Sequence, residues 1–327
     1  MKGVVRRDRV TTLRDDLPEP TPGEGEVLVR PESVALTGLD AGSWRDGVIG
    51  RLCVGVVEKA GPGADRTWER KRVVVEPLRA CGACDRCRGG LASHCVSGSW
   101  MGLAGPDGVV PVGGCLAERF AAPCSALIEA PARGEPGVWA FASLVGCALN
   151  ASRGVRVEGK TYVTVLGDGP IGLITAQILA SRNASVRVLG RHEPRFALCE
   201  RWGIRHRHEA EAGRRADQDV VVDCTGRPEA LALACRLIRP RGSVVVVAPP
   251  GGVGGGPWLS DVGPASSAEA SVRYCRGGGA RDGLEVIRAG SVDLSPMLAR
   301  RCRMADAPAA LESLARRESL AAVVESG

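Results

Sequence analysis

The 327-residue chain is poor in aromatic side chains, with only 3 Phe, 6 Trp and 2 Tyr. Its core must therefore be built from Val, Leu, Ile and Ala. Lysine is nearly absent, occurring only as Lys2, Lys59, Lys71 and Lys160, so almost all of the 43 basic residues are arginine. These are scattered among 37 acids, as in Glu69-Arg70-Lys71-Arg72, and the net charge is +6. No basic run interleaves with aromatics, which argues against nucleic-acid binding. There is no run of about 18 apolar residues, so no membrane span is expected. The opening segment MKGVVRRDRV lacks the apolar stretch of a signal peptide, and the chain is read as cytoplasmic.

What is present in quantity is glycine, 44 residues, and cysteine, 13. The glycines follow no G-x-y period, which excludes collagen. An odd cysteine count without a secretion signal argues against disulfides and for metal binding or buried thiols. Apolar residues make up 44% of the chain, enough for a packed core. At about 100–200 residues per domain, two domains are expected.

The first third carries short apolar runs punctuated by Gly and Pro. Glu26-Val-Leu-Val-Arg-Pro31 reads as a strand ending at the proline. Val54-Gly-Val-Val-Glu58, Arg72-Val-Val-Val-Glu76 and Gly113-Gly-Cys-Leu-Ala-Glu-Arg-Phe120 read as further strands. The pattern is that of a β-rich, barrel-like domain. From about residue 136 it changes to alternation. Helical spacing over 139–152, 170–181, 193–202 and 228–238 separates strands at 161–166, 185–189, 219–223 and 243–248. Such alternation predicts βαβ units and a parallel sheet, giving an α/β fold overall. Residues 249–267, rich in Gly, Pro and Ser, read as a surface loop. Residues 280–327 return to two helical segments and a last strand at Ala321-Ala-Val-Val-Glu325.

Gly167-Asp168-Gly169-Pro170-Ile171-Gly172 follows a strand and opens a helix, the setting in which G-x-G-x-x-G binds a dinucleotide. Gly167 permits the tight turn, Gly169 lets a pyrophosphate approach the backbone, and Gly172 allows close helix–strand packing. The helix N-terminus attracts the anion. The second strand ends in Leu189-Gly190-Arg191-His192, without the acid that would bind the ribose 2′-hydroxyl of NAD. Gly190 leaves room for a phosphate. Arg191 can pair with it, and Arg195 lies four residues on. These residues favour NADP over NAD.

Cys81-Gly-Ala-Cys84-Asp-Arg-Cys87 followed by Cys95 places four thiols on a short loop, 81–95. Four such ligands suit one closed, structural Zn²⁺. The other nine cysteines show no ligand spacing.

With these motifs in this order, with Gly113-Gly-Cys-Leu-Ala-Glu between the first two and Asp223-Cys-Thr-Gly226 after them, the chain resembles the medium-chain, zinc-dependent alcohol dehydrogenase superfamily over essentially its whole length. The resemblance implies a GroES-like β-rich substrate domain at 1–148 and 274–327. It implies a Rossmann doubly wound parallel-sheet domain at 149–273 inserted into it. It also implies cofactor contacts along the glycine turn and at Gly190, Arg191, Arg195 and Thr225, and a dimer or tetramer formed through the edge of the Rossmann sheet.

The family's catalytic zinc site carries over only in part. Its Cys-Gly-Thr/Ser-Asp motif stands here as Thr37-Gly38-Leu39-Asp40, so the ligand Cys is Thr37, the relay hydroxyl is Leu39 and only Asp40 remains. Its Gly-His-Glu stands as Gly50-Arg51-Leu52, and the third ligand falls at Ser143. Thr, Arg and Ser are not zinc ligands of ordinary affinity, and Arg51 brings a positive charge. Cys53 and Cys147 are the thiols that could rescue a metal. The expectation is an NAD(P)-dependent oxidoreductase, NADP-preferring, acting on a small carbonyl, alcohol or enone without catalytic zinc, with Thr37, Asp40, Arg51 and Ser143 as its catalytic set. The alternatives are an inert cofactor-binding homologue and an ordinary zinc dehydrogenase whose ligands lie elsewhere.

Overall fold

The computed structural model describes residues 1–42, 46–102, 113–213, 215–247 and 263–325. The chain divides into two compact units. One comprises Met1–Ser143, Gly279–Leu284 and Leu294–Gly327; the other comprises Leu144–Gly278 and Glu285–Asp293. The segment 285–293 thus returns to the inserted unit.

The first unit is organised around strand Glu26–Thr37, which pairs antiparallel with Leu52–Ala60, Phe120–Pro123 and Ala321–Glu325. Strands Arg72–Val75 and Leu127–Glu129 extend one side of this seven-stranded sheet, and Arg301–Arg303 the other. The expected stop at Pro31 does not occur: the strand runs on to Thr37. Proline lacks a ladder N–H, and the pairing register shifts between Pro31 and Ser33, so the strand passes the proline as a bulge. The expected strand at 113–120 is also corrected. It begins only at Phe120; Cys115 and Leu116 are buried as loop residues whose backbone N–H groups bond to Gly50 and Ile49. The core is aliphatic, as the scarcity of aromatics requires. Val27, Val29, Val57, Val73 and Leu36 pack with Ala310, Leu311 and Leu314 of helix Ala307–Ala315.

The second unit carries a six-stranded, all-parallel sheet. Its spatial order is Arg205–His208, Ser185–Gly190, Tyr162–Leu166, Gln218–Asp223, Ile238–Val246, Ser271–Tyr274. Numbered along the unit this is 3-2-1-4-5-6, the Rossmann order, with the ligand crevice expected beside the first strand. Near-continuous valine runs such as Val220–Val222 are buried, as strands covered on both faces must be. Of the expected 249–267 loop, residues 249–262 lie outside the described residues, and Gly263–Ser267 is a short helix. The two ends of the segment Leu144–Gly278 lie close together: a Cβ on Gly278 would lie 2.0 Å from the carbonyl oxygen of Gly146.

Candidate functional site

The glycine turn joins strand Tyr162–Leu166 to helix Pro170–Ser181. Gly167 adopts φ +103°, a backbone that only glycine takes freely. A Cβ on Gly172 would lie 2.0 Å from the Gly167 oxygen, so the helix could not pack so close with any other residue. A Cβ on Gly169 would meet nothing within 4 Å; this face of the turn is open, as a cradle for a pyrophosphate must be. Thr225 stands against the turn, its methyl 3.0 Å from where a Gly167 Cβ would be. It is fixed by donating its N–H and hydroxyl to Asp223 Oδ1, at 2.8 and 2.7 Å. Burial raises the Asp223 carboxyl above its ordinary range, against these two hydrogen bonds. These residues fit a dinucleotide.

The end of the second strand differs from the sequence expectation. The space that Gly190 leaves is filled: a Cβ there would lie 2.4 Å from Asp168 Oδ2 and 2.7 Å from Asp168 Cβ. Asp168, only 4% exposed, accepts the backbone N–H of Arg191 at 2.9 Å and of His192 at 2.7 Å through Oδ2. Its Oδ1 lies 2.8 Å from His192 Nδ1 and 3.6 Å from Arg195. Arg191 pairs with Glu209, which also binds Arg227 at 2.6 Å. Burial works to raise the Glu209 carboxyl, but the hydrogen bonds from Arg227 and Arg191 prevail and hold it below its ordinary value. Neither Glu209 nor Arg227 was visible as a site residue from sequence. Glu209 begins the turn after the third strand and reaches Arg191 only through the parallel register that pairs Gly190 with His208.

In the first unit, Thr37, Asp40 and Arg51 are brought together and buried, at 4, 1 and 7% exposure. Asp40 Oδ2 accepts from the Thr37 N–H at 2.8 Å and from its hydroxyl at 3.0 Å. Arg51 donates to the Thr37 hydroxyl at 3.1 Å. Its Nε stands 3.4 Å from Asp40 Oδ1, an ion-pair contact without hydrogen-bond alignment. Arg6 caps the cluster by donating to the Asp40 carbonyl at 2.8 Å.

Ser143 makes its side-chain hydrogen bond elsewhere. Its hydroxyl bonds the carboxyl of Glu76, which also accepts the Ala280 N–H at 2.6 Å. Burial pushes the Glu76 carboxyl up to about 7, more than these two bonds pull it down. Sequence reasoning missed Glu76 as well, since it lies in what reads as an ordinary strand end.

The four sulfurs of Cys81, Cys84, Cys87 and Cys95 all lie within 4.8 Å of one another. Cys84 to Cys87 is 3.5 Å and Cys81 to Cys87 is 4.0 Å. Bonds of about 2.3 Å in a tetrahedron place sulfurs roughly 3.8 Å apart, so the cluster fits one zinc ion. Among the described residues this is the only group of three or more possible metal ligands. Cys53 is buried beside Cys115, and burial with this thiol neighbour drives the Cys115 thiol well above its ordinary value.

Comparison with known proteins agrees with this fold. Residues 23–132 match the model of the alcohol dehydrogenase GroES-like domain, and residues 170–289 that of the zinc-binding dehydrogenases. A Mycobacterium tuberculosis protein named "Probable alcohol dehydrogenase adh" is 31% identical over 289 residues, covering 79% of this chain and 76% of that one. In fold, the chain is similar to a zinc-binding dehydrogenase of Sinorhizobium meliloti 1021 bound to NADP (TM-score 0.84, 23% identity, 99% of each chain). It is also similar to an alcohol dehydrogenase of Escherichia coli CFT073 complexed with NADH (TM-score 0.87, 19% identity, 100% of this chain and 99% of that one). The chain therefore belongs to the zinc-dependent, medium-chain alcohol dehydrogenase-like family, as an oxidoreductase built from a GroES-like and a Rossmann domain.

Proposed function

We propose that this oxidoreductase moves a hydride between a nicotinamide cofactor and a small alcohol, carbonyl or enone, and does so without a zinc ion at the catalytic position. The observation that carries the reading is Arg51, a guanidinium in the place of an imidazole ligand, ion-paired to Asp40 and bonded to Thr37. This donor set does not fit zinc. The Asp40 carboxylate is engaged by Thr37 and Arg51, no thiolate or imidazole stands among Thr37, Asp40, Arg51 and Ser143, and a fixed cation repels another. A cofactor bound on the glycine turn supplies the hydride. The chain's part is to bind and orient it and to place charge beside a carbonyl oxygen. Arg51, held rigid in a dry environment, suits the latter task, with the Thr37 hydroxyl at its side.

The test is oxidation of NADH and NADPH against a broad panel of aldehydes, ketones and enones, in the wild type and in Arg51→Ala and Arg51→Lys. Turnover that is lost in the alanine variant and partly kept in the lysine variant supports the reading. Two zinc ions per chain would overturn it in favour of an ordinary zinc dehydrogenase.

A second reading is favoured by the same cluster's closure. Thr37, Asp40 and Arg51 bind one another and are nearly inaccessible, as in a structural ion-pair core. On that reading the protein is an inert cofactor-binding homologue, and NAD(P)H binds without turnover of any substrate.

The sequence tilts the cofactor toward NADP, whereas the filled space at Gly190 supports the opposite choice. Assembly as a dimer or tetramer is supported by the sheet edge Ser271–Tyr274, which leaves Val272 and Tyr274 exposed. Light scattering that reports a monomer would reject it.

A further inference from the structure

The residue that ends the second strand of a Rossmann sheet sets the choice between NAD and NADP, because it faces the adenosine ribose. Here that residue is Gly190, which offers no side chain. The place is nevertheless not empty of charge. Asp168, between the first two glycines of the turn, extends its carboxylate across the strand end, so that a Gly190 Cβ would lie 2.4 Å from Oδ2. We propose that Asp168 is the specificity-determining residue for the cofactor, supplying from the glycine turn the acid that the strand lacks, and so selecting NAD over NADP. The proposal rests on the reading of this turn as a dinucleotide site.

Three features of the geometry argue for it. The donors that would otherwise cradle a 2′-phosphate are already bound. The N–H groups of Arg191 and His192 both point at Asp168 Oδ2, at 2.9 and 2.7 Å, and the His192 ring lies 2.8 Å from Oδ1. A phosphate approaching these donors would meet an anion held in their midst.

The carboxylate is also fixed. It is 4% exposed, with Arg195 3.6 Å away, and cannot swing clear without giving up its two backbone N–H donors. A carboxylate has about four lone-pair positions. Two N–H donors and one ring nitrogen occupy three of them, leaving one for a ribose hydroxyl donor, whereas a phosphate is itself an acceptor and an anion and has no donor to offer it.

Finally, Arg191, the residue best placed in sequence to hold a phosphate, is directed at Glu209, which Arg227 also engages. Arg191 and Arg195, the two arginines that follow the strand end in sequence, thus each already face a carboxylate, Glu209 and Asp168.

The experiment is fluorescence titration of the full-length protein with NADH and with NADPH, read as dissociation constants and needing no substrate. The wild type is expected to bind NADH at least ten times more tightly. In Asp168→Asn, which keeps the shape and removes the charge, the ratio should fall at least tenfold, mainly through tighter NADPH binding. Competition by 5′-ADP and 2′,5′-ADP in the wild type gives the same answer without any variant: 5′-ADP should win. Moving the acid back, with Asp168→Gly and Gly190→Asp together, clears the 2.7 Å contact with Asp168 Cβ and should restore the preference for NADH. A wild type that prefers NADPH, or an Asn variant with an unchanged ratio, overturns the assignment while leaving the dinucleotide site standing. Binding of neither nucleotide removes the site itself, and the role of Asp168 with it.

Discussion

Arg51 Nε stands 3.4 Å from Asp40 Oδ1, and the Thr37 hydroxyl bridges the two by accepting from Arg51 and donating to Asp40. A buried pair of this kind contributes little net stability but is costly to break from one side, because the surviving charge is left without its partner. Arg51→Met should therefore destabilise the chain by about 3 kcal/mol in denaturant unfolding. Adding Asp40→Asn should recover a large part of the loss. If the two single variants and the double variant prove additive, the residues are not coupled as described.

Glu76 makes stability depend on pH. Its folded value, about 7, lies above the ordinary 4.5 because burial disfavours the anion. The folded state therefore holds the proton more tightly than the unfolded chain. The resulting stabilisation is complete below pH 4.5 and is lost as pH rises through 7, on the order of 3 kcal/mol in all. Glu76→Gln should flatten this part of the profile and make the protein the more stable of the two above pH 7. Unfolding midpoints between pH 5 and 8 measure it; parallel profiles would contradict it.

Elemental analysis should find one zinc per chain, held by Cys81, Cys84, Cys87 and Cys95. Cys84→Ser should release it and open the 81–95 loop to proteolysis, since the loop has little apolar material of its own. A zinc content unchanged by Cys84→Ser would place the metal elsewhere.

Gly172→Ala should abolish binding of both nicotinamide nucleotides, because the added methyl carbon would lie 2.0 Å from the Gly167 oxygen and force the helix away from the turn. Gly169→Ala, where the Cβ meets no protein atom within 4 Å, should fold normally and weaken binding only by crowding the ligand. Thermal unfolding alongside nucleotide titration separates the two effects. Equal loss of folding in both variants would contradict the assigned roles.

These sites differ in how far sequence alone reveals them. The glycine turn and the four-cysteine loop are legible because their parts lie within six and fifteen residues of one another, so local spacing carries the geometry. The parallel sheet is legible from alternation. The course of the chain at Pro31 is not, because a bulge is decided by the partner strand. Nor is the Asp168 cage. Gly190 reads as an opening, and only the fold brings a side chain 22 residues away into it. The cluster of Thr37, Asp40 and Arg51 is intermediate. The resemblance points to all three positions, but it also points to Ser143, which the structure joins to Glu76 instead.

The close approach of Gly278 to Gly146 bears on how this architecture can be cut and rejoined. The longer inserted segment, Leu144–Gly278, enters and leaves at nearly the same point, so it is a closed excursion of the chain. Closing a loop whose ends already touch requires little additional ordering. The chain can thus be rejoined across Leu144–Gly278 by a few residues, and that segment expressed with its own ends adjacent, with 285–293 the stretch of the second unit that such a cut leaves behind.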